Sequence, residues 1–439
     1  MKRLIFILLA ISVLLGCVSC SSPSLNVEET TEEAAKTQAA APDKTAETAE
    51  PVQTEKDEYY PPVSDPLTPE KLAALPVATS SMTTAELRQL CLDYFYLQLT
   101  FLWTGDASFS YTIESSGKPV TISRGTVQAG IPYVTVGTGN LYRVLEYYDT
   151  ATGVMQVSQF AKEPKLFGNQ CSVGAFWAWG RVINSANYDW TQNMVKSRGF
   201  IPVGNYTYPD DLKSYSNEVA NFKTTKDICT DNGRDVMYES YAKMQPADGL
   251  VTHSGSAGHV RMCSVAPVVV RGADGKIDPN QSYLRYRDQT SKWSSFKASD
   301  GKTYEIQGGL DSKVTFQSLF SGSYLPFTFA EFLGTDPVEP SDVTIDLAGE
   351  SVTYDRLKEA TVTSNYAISD VFLIVSDASG NEVYRQVKRA TKASTKTVKL
   401  GDIVYQSLKK HVGGGNTVTV SCQISTGEKP VLLTAALVD

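Results

Sequence analysis

The chain has 439 residues, more than one ordinary domain holds, and its 42% apolar and 20% charged fractions are those of globular proteins, so two or three domains with at least one substantial core are expected. The formal net charge is −8 and no long basic run occurs, which excludes an extended nucleic-acid surface. There are three histidines, His253, His259 and His411, so imidazole chemistry has three candidates.

In chain order, Lys2 and Arg3 precede an apolar stretch from Leu4 to Leu15 that is broken by Ser12. It is too short to span a bilayer as a stable helix and reads as an export signal over residues 1–20. The run Leu14-Leu15-Gly16-Cys17 resembles the lipobox of bacterial lipoproteins, which implies lipidation of Cys17, with Cys20 as a second candidate. Acyl chains contribute about 0.8 kcal/mol per buried methylene, so such a modification would hold the protein at a membrane face, on the extracellular side. Residues 21–80 are rich in Ala, Thr, Glu, Pro and Ser, and Ser21 to Glu58 lacks any aromatic residue. Such a segment buries too little surface to offset its chain entropy and is expected to be a disordered tether.

Order is expected to begin at Thr83, where Thr83 and Glu86 form a capping-box pattern and Leu87, Leu90, Cys91, Tyr94 and Leu97 follow at helical spacing. A mixed segment with turns at Gly105, Gly117 and Gly130 comes next. Gly168 to Asn184 reads as a loop entering a helix. Val260 to Val270 and Ser282 to Arg287 read as strands, and Tyr324 to Phe327 as the last strand of a domain spanning 83–335. Asp336-Pro337-Val338-Glu339-Pro340 is a linker pattern. Beyond it, residues 341–439 carry short strand candidates at Val343–Leu347, Val371–Val375, Val383–Val387, Thr395–Leu400, Val418–Cys422 and Val431–Val438, with turn signals at Ser379-Gly380-Asn381 and Gly413-Gly414-Gly415. This predicts an all-β, immunoglobulin-like sandwich. Cys91, Cys229, Cys263 and Cys422 have long irregular spacings without a zinc pattern. They read as buried apolar side chains or at most one bridge.

The chemically informative stretch is Phe167-Gly168-Asn169-Gln170-Cys171-Ser172-Val173-Gly174-Ala175-Phe176-Trp177. Cys171 falls at the start of an apolar helix, where the helix dipole and backbone N–H groups favour thiolate and can stabilise an oxyanion. Taken alone, the stretch also fits an ordinary buried cysteine. A second stretch, Gly258-His259-Val260-Arg261-Met262, places His259 at the opening of a strand, after a turn, a short strand and another turn over Gln245 to Gly255. A hairpin turn at Gly272-Ala273-Asp274-Gly275, centred between Ala273 and Asp274, sets Asp288 opposite His259. A facing carboxylate would fix the imidazole tautomer. A slip in register makes Gln289 the fallback third residue. His253 is expected in a loop and is the alternative working histidine; His411 is expected at the surface. Trp103, Tyr111, Tyr133 and Trp177 are candidates for lining a groove, each also explicable as core.

The Cys-Ser start of an apolar helix, followed by Gly-His-Val on a strand, resembles the NlpC-like branch of papain-like cysteine peptidases, over about residues 85–335. Gly130-Ile131-Pro132-Tyr133-Val134 resembles that family's Pro-Tyr segment. The resemblance implies an α+β, papain-like domain with Cys171 as nucleophile, His259 as base and Asp288 or Gln289 as the orienting residue. It implies Tyr133 as a substrate-side hydroxyl, with Trp103 and Gln170 beside the substrate. Where the family has Asp before the cysteine, tied to a positively charged peptide amine, this chain has Gln170. The implied activity is amide hydrolysis in cell-wall peptides, without cofactor or metal. The competing readings are a non-catalytic surface protein on the same scaffold and an amidotransferase or transglutaminase using the same pair.

Overall fold

A computed structural model describes residues 72–114, 116–184, 190–191, 194, 199–207, 224–255, 257–298 and 300–439. The expected export signal, Cys17, Cys20 and most of the tether lie outside the described residues. The protein is a mixed α+β structure with several sheets and a β-rich C-terminal region. Order begins before Thr83: Leu72 and Ala78 are already packed into the main core, so the expected tether stops short of residue 80. Among the described residues no helix is long and apolar enough to cross a membrane.

Helix α1 (Thr84–Thr100) starts at the expected capping box, with Thr83 Oγ1 accepting from Glu86 N–H and Glu86 Oε2 accepting from Thr83 N–H at 2.7 Å. It is not an amphipathic surface helix. Arg88, Leu92, Phe95, Tyr96, Gln98, Leu99 and Thr100 are buried along with the expected Leu87, Leu90, Cys91 and Tyr94, while Leu97 is half-buried, because α1 lies between other elements. Strands β1 (Leu102–Gly105), β4 (Val127–Ala129), β5 (Tyr148–Asp149) and β6 (Val154–Met155) form a small sheet in the order β4-β1-β6-β5. Strands β2 (Phe109–Ile113) and β3 (Lys118–Ile122) make a separate hairpin. Short helices α2 (Leu141–Leu145), α3 (Ser158–Lys162) and α4 (Pro164–Phe167) lead into α5 (Cys171–Trp179).

The central sheet is antiparallel. It contains β7 (Ile201–Pro202), β8 (Gly249–His253), β9 (Gly258–Val268), β10 (Tyr283–Lys297), β11 (Thr303–Thr315) and β12 (Leu325–Thr328), ordered β11-β10-β9-β8-β12-β7. The last strand in sequence, β12, is therefore interior, between β8 and β7. Helices α6 (Thr225–Asn232) and α7 (Arg234–Ala242) precede β8, and α8 (Phe316–Ser321) and α9 (Ala330–Leu333) flank β12. Helix α5 packs on α1, β9 and β10.

The C-terminal region has a three-stranded sheet of β13 (Val343–Ile345), β15 (Thr361–Ser364) and β18 (Thr397–Lys399). Its five-stranded sheet contains β14 (Ser351–Thr353), β16 (Ile368–Ser376), β17 (Glu382–Arg389), β19 (Thr417–Ile424) and β20 (Val431–Val438). Val362, Val371, Val398, Val420 and Leu437 from the two sheets meet in one apolar core. The six expected strands are present; β14, β15 and helix α10 (Tyr354–Glu359) are additions.

The stretch read as a linker carries neither helix nor strand and is packed against both regions it joins. Val338 is buried, and Tyr366 Oη donates to Glu339 O at 2.8 Å. The β-rich region is clamped to the preceding part by Arg143 of α2, whose side chain is fully buried. Its Nε donates to Asp370 of β16 at 3.2 Å, its Nη1 to Leu166 O at 2.8 Å and its Nη2 to Ser369 O at 2.8 Å. Arg389 reaches the same carboxylate at 3.1 Å and ties it to Glu146 at 2.9 Å. Removing one partner of a buried ion pair leaves an uncompensated charge. Arg143→Met and Asp370→Ala are each expected to lower unfolding stability by about 3–5 kcal/mol. Urea denaturation monitors this, and a loss below about 1 kcal/mol, the range of surface pairs, would contradict the clamp.

Candidate active site

Cys171 is the first residue of α5, and Gln170 is its N-cap. The chain arrives there extended because it is zipped to the Pro-Tyr segment: Asn169 N–H donates to Pro132 O at 3.1 Å and Val134 N–H to Asn169 O at 2.8 Å, with Tyr133 bridged to Asn169. The Pro132-Tyr133 segment is thus held two residues from the thiol. The side chain of Gln170 does not cap the helix. Its Oε1 accepts from Val136 N–H at 3.1 Å and helps hold Val136 at φ +54°, a left-handed conformation that costs a β-branched residue on the order of 1–3 kcal/mol.

His259 sits at the second position of β9, and its Nε2 lies 2.6 Å from Asp288 Oδ2 of β10, with both side chains at least nine-tenths buried. Burial pushes the Asp288 carboxyl up, but the His259 hydrogen bond and charge, the Arg261 charge and the Gly309 N–H bond together outweigh it. The carboxyl is held below the usual range. An ionised carboxylate only accepts, so Nε2 carries the proton and donates. The His259 ring is tied to Asp288 through Nε2, so Nδ1 is the ring nitrogen that the carboxylate does not engage.

The expected hairpin turn forms, with Gly275 N–H donating to Gly272 O and Gly272 N–H to Lys276 O. The register beyond it differs. Irregularities between Val268 and Cys263 shift the pairing so that Cys263 faces Tyr286 and Met262 faces Arg287. Continuing that register, Asp288 lies opposite Arg261 and reaches His259 diagonally. The same two residues meet as in the unbulged register, but through a different geometry. The pairing of β9 with β10 runs no further than Met262 and Arg287, so His259 lies where the two strands have parted.

Alternation along β10 and β11 fixes the directions. Gly308, opposite Gln289, abuts Leu99 of α1, and Gln289 Cβ abuts Gly174 of α5. Gly309, opposite Asp288, lies under the Asp288 carboxylate and donates its N–H to Oδ1 at 2.8 Å; a Cβ there would stand 2.8 Å from that oxygen. Asp288 therefore projects from the face opposite α1 and α5, and Gln289 toward them. Gln289 does not contact His259: its Nε2 donates to Ile131 O at 2.8 Å. Helix α5, which begins at the thiol, packs on β9 and β10, the strands that carry His259 and Asp288. Tyr324 registers both: burial pushes its hydroxyl up, Arg261 opposes this, and Asp288, Tyr286 and Cys171 add to the rise.

The other candidates fall as follows. Trp103 is core, not groove: its Nε1 donates to Gly130 O at 2.9 Å and its ring stacks on Phe160. Trp177 is likewise enclosed, and Tyr111 Oη donates to Gln307 Oε1. Tyr133 is buried beside the thiol loop, with its N–H on Gln307 Oε1 at 2.8 Å. Gln170 is spent on Val136. His253 ends β8 rather than lying in a loop, and it is buried with Nδ1 3.3 Å from Thr191 Oγ1. His411 closes a short 3-10 turn and packs on Tyr384, half-buried. Cys91, Cys229, Cys263 and Cys422 are free and buried. Burial raises each thiol, Cys229 and Cys422 to about 12, so these four stay protonated at neutral pH. Among the described residues no cluster of three or more His, Cys, Asp and Glu side chains could hold a metal.

Three contributors escape the sequence reading. Arg261, two positions after His259 and on its face, has Nε 3.5 Å from Asp288 Oδ2; strand alternation alone could have found it. Gly309 and Gln307 come from β11, whose register no local motif announces. Asp288 ionises below 3.8, its ordinary value, so the stabilisation from its bonds is complete above that value in the unfolded chain and is lost as pH falls through the lower folded value. Asp288→Asn is expected to cost about 1.5–3 kcal/mol between pH 5 and 7, with the gap to wild type closing below about pH 4. Denaturation at stepped pH measures this, and a gap that widens on acidification would contradict it.

No protein-family model matches the chain, and no curated protein matches it in sequence.

Proposed function

We propose that the protein is a cysteine hydrolase on a papain-like, NlpC-like scaffold, exported and lipid-anchored through Cys17, with an immunoglobulin-like C-terminal domain, and that it cleaves an amide bond in peptidoglycan peptides. The observation that carries this reading is the buried 2.6 Å bond between His259 Nε2 and Asp288, on strands against which the helix that begins at Cys171 packs; it leaves Nδ1 as the ring nitrogen available to a thiol.

In this scheme Nδ1 takes the thiol proton as the two groups close, and the thiolate, favoured by the positive end of α5, attacks the substrate carbonyl. Backbone N–H groups at the start of α5 receive the oxyanion. The imidazolium returns the proton to the leaving amine, a thioester remains on Cys171, and water attacks it with Nδ1 again as base. Asp288 stays ionised and stabilises the imidazolium. An amine acceptor in place of water would give the transferase reading.

The competing reading is a scaffold that serves as a binding surface alone. Digestion of purified peptidoglycan separates the two. Wild type is expected to release new peptide fragments, detected by mass, and Cys171→Ala to release none. Identical products from both proteins would remove the cell-wall hydrolase.

A further inference from the structure

The charged group closest to the His259–Asp288 pair is Arg261, and its setting is unusual. Its guanidinium carbon lies 4.1 Å from the centroid of the Tyr286 ring and 4.6 Å from that of Tyr324. The cation is stacked between two aromatic faces, an arrangement that suits the planar, weakly hydrated guanidinium and not an ammonium. Its side chain is 18% exposed. The Nε is buried, 3.5 Å from Asp288 Oδ2, and makes no hydrogen bond. Among the described residues neither Nη1 nor Nη2 donates to any protein acceptor, and neither is sealed from solvent. Burial works against the charge, but Tyr324, Asp288 and Tyr286 hold the guanidinium firmly protonated.

A guanidinium that only oriented Asp288 would turn its donors toward that carboxylate. Here the two rings hold the guanidinium with Nε toward Asp288 and its two terminal nitrogens without a protein acceptor among the described residues, beside the His259–Asp288 pair. A planar fork of this kind matches a carboxylate through two parallel N–H···O bonds. Desolvation by the flanking rings strengthens such a pair relative to the same pair in water. Gln170, immediately before the thiol, adds no opposing negative charge.

We propose that Arg261 is a specificity-determining residue that binds a carboxylate of the substrate through Nη1 and Nη2, so that the enzyme prefers peptides with an anionic group near the scissile amide. The substrate class rests on the hydrolase reading above; the anion site itself does not.

The test is ligand-observed NMR with acetyl-alanyl-alanine, its C-terminal amide, and a peptide amide bearing a glutamate side chain, added to wild type, Arg261→Gln, Arg261→Lys and Cys171→Ala. The free acid is expected to bind wild type and Cys171→Ala about ten-fold more tightly than its amide, with the preference lost in Arg261→Gln and weakened in Arg261→Lys. Binding of the glutamate peptide in place of the free acid would assign the site to side-chain carboxylates, with the same dependence on Arg261. Equal binding of acids and amides, including none by either, or a preference that survives Arg261→Gln in a protein with unchanged thermal unfolding, overturns the proposal. Peptidoglycan digestion by wild type reports separately on the hydrolase: loss of one result leaves the other standing.

Discussion

A carboxylate buried among apolar side chains is stable only if its oxygens are satisfied, and Asp288 is satisfied from three directions. Oδ2 accepts from His259, Oδ1 accepts from Gly309 N–H, and Arg261 stands at 3.5 Å without bonding. The rest of the site follows from that requirement. The carboxylate fixes which imidazole nitrogen holds the proton and therefore which one it does not engage. It demands a residue without a Cβ at position 309. It also holds Arg261 in place with its end groups unspent. Replacing any of these partners changes the energy of a buried charge, not of a surface contact, which is why the cluster is tightly specified by β9, β10 and β11 together.

Packing places the thiol by a different route. The start of α5 is set by backbone pairing between Asn169 and the Pro132-Tyr133 segment, and Gly174 lets the helix approach Gln289 on the near side of the sheet. Around this junction Gln98 and Asn169 bury their whole carboxamides, and Gln289 Oε1 and Gln307 Nε2 lie buried too, all without hydrogen-bond partners among the described residues. Buried polar groups of this kind cost about 1–3 kcal/mol each when unsatisfied. They gather where α1, the approach to α5, β10 and β11 meet. Val136, held left-handed with its N–H on Gln170 Oε1, adds backbone strain next to the same approach.

How much of this was legible in the sequence depended on the range of the interaction. Local signals read well: the capping box at Thr83, the helix opening at Cys171, the turn at Gly272–Gly275 and the alternating strands after residue 341. The pairing of His259 with Asp288 was reachable from the turn, although the bulges that set the true register were not visible, and the contact survives as a diagonal one rather than a directly facing one. Trp103, Tyr111, Tyr133 and Trp177 are groove candidates for which core is the favoured alternative, and all four are buried. The contact of Arg143 with Asp370, 227 positions apart, leaves no local pattern, and neither does that of Gly309 with Asp288, 21 positions apart across a bulged strand pair. The Pro-rich stretch 336–340 carries neither helix nor strand, as its prolines predict; what composition does not show is that Val338 packs into the main core.

The central claim is that His259 activates Cys171. The most direct measurement is the rate of alkylation of Cys171 by iodoacetamide as a function of pH, in wild type and His259→Ala, with the modified residue identified by mass. Activation requires wild-type Cys171 to react near pH 7 about ten-fold or more faster than a simple thiol of ordinary pKa near 8.5, with the advantage lost in His259→Ala. Equal rates in the two proteins, or a wild-type profile that rises only with ordinary thiol ionisation, would contradict it.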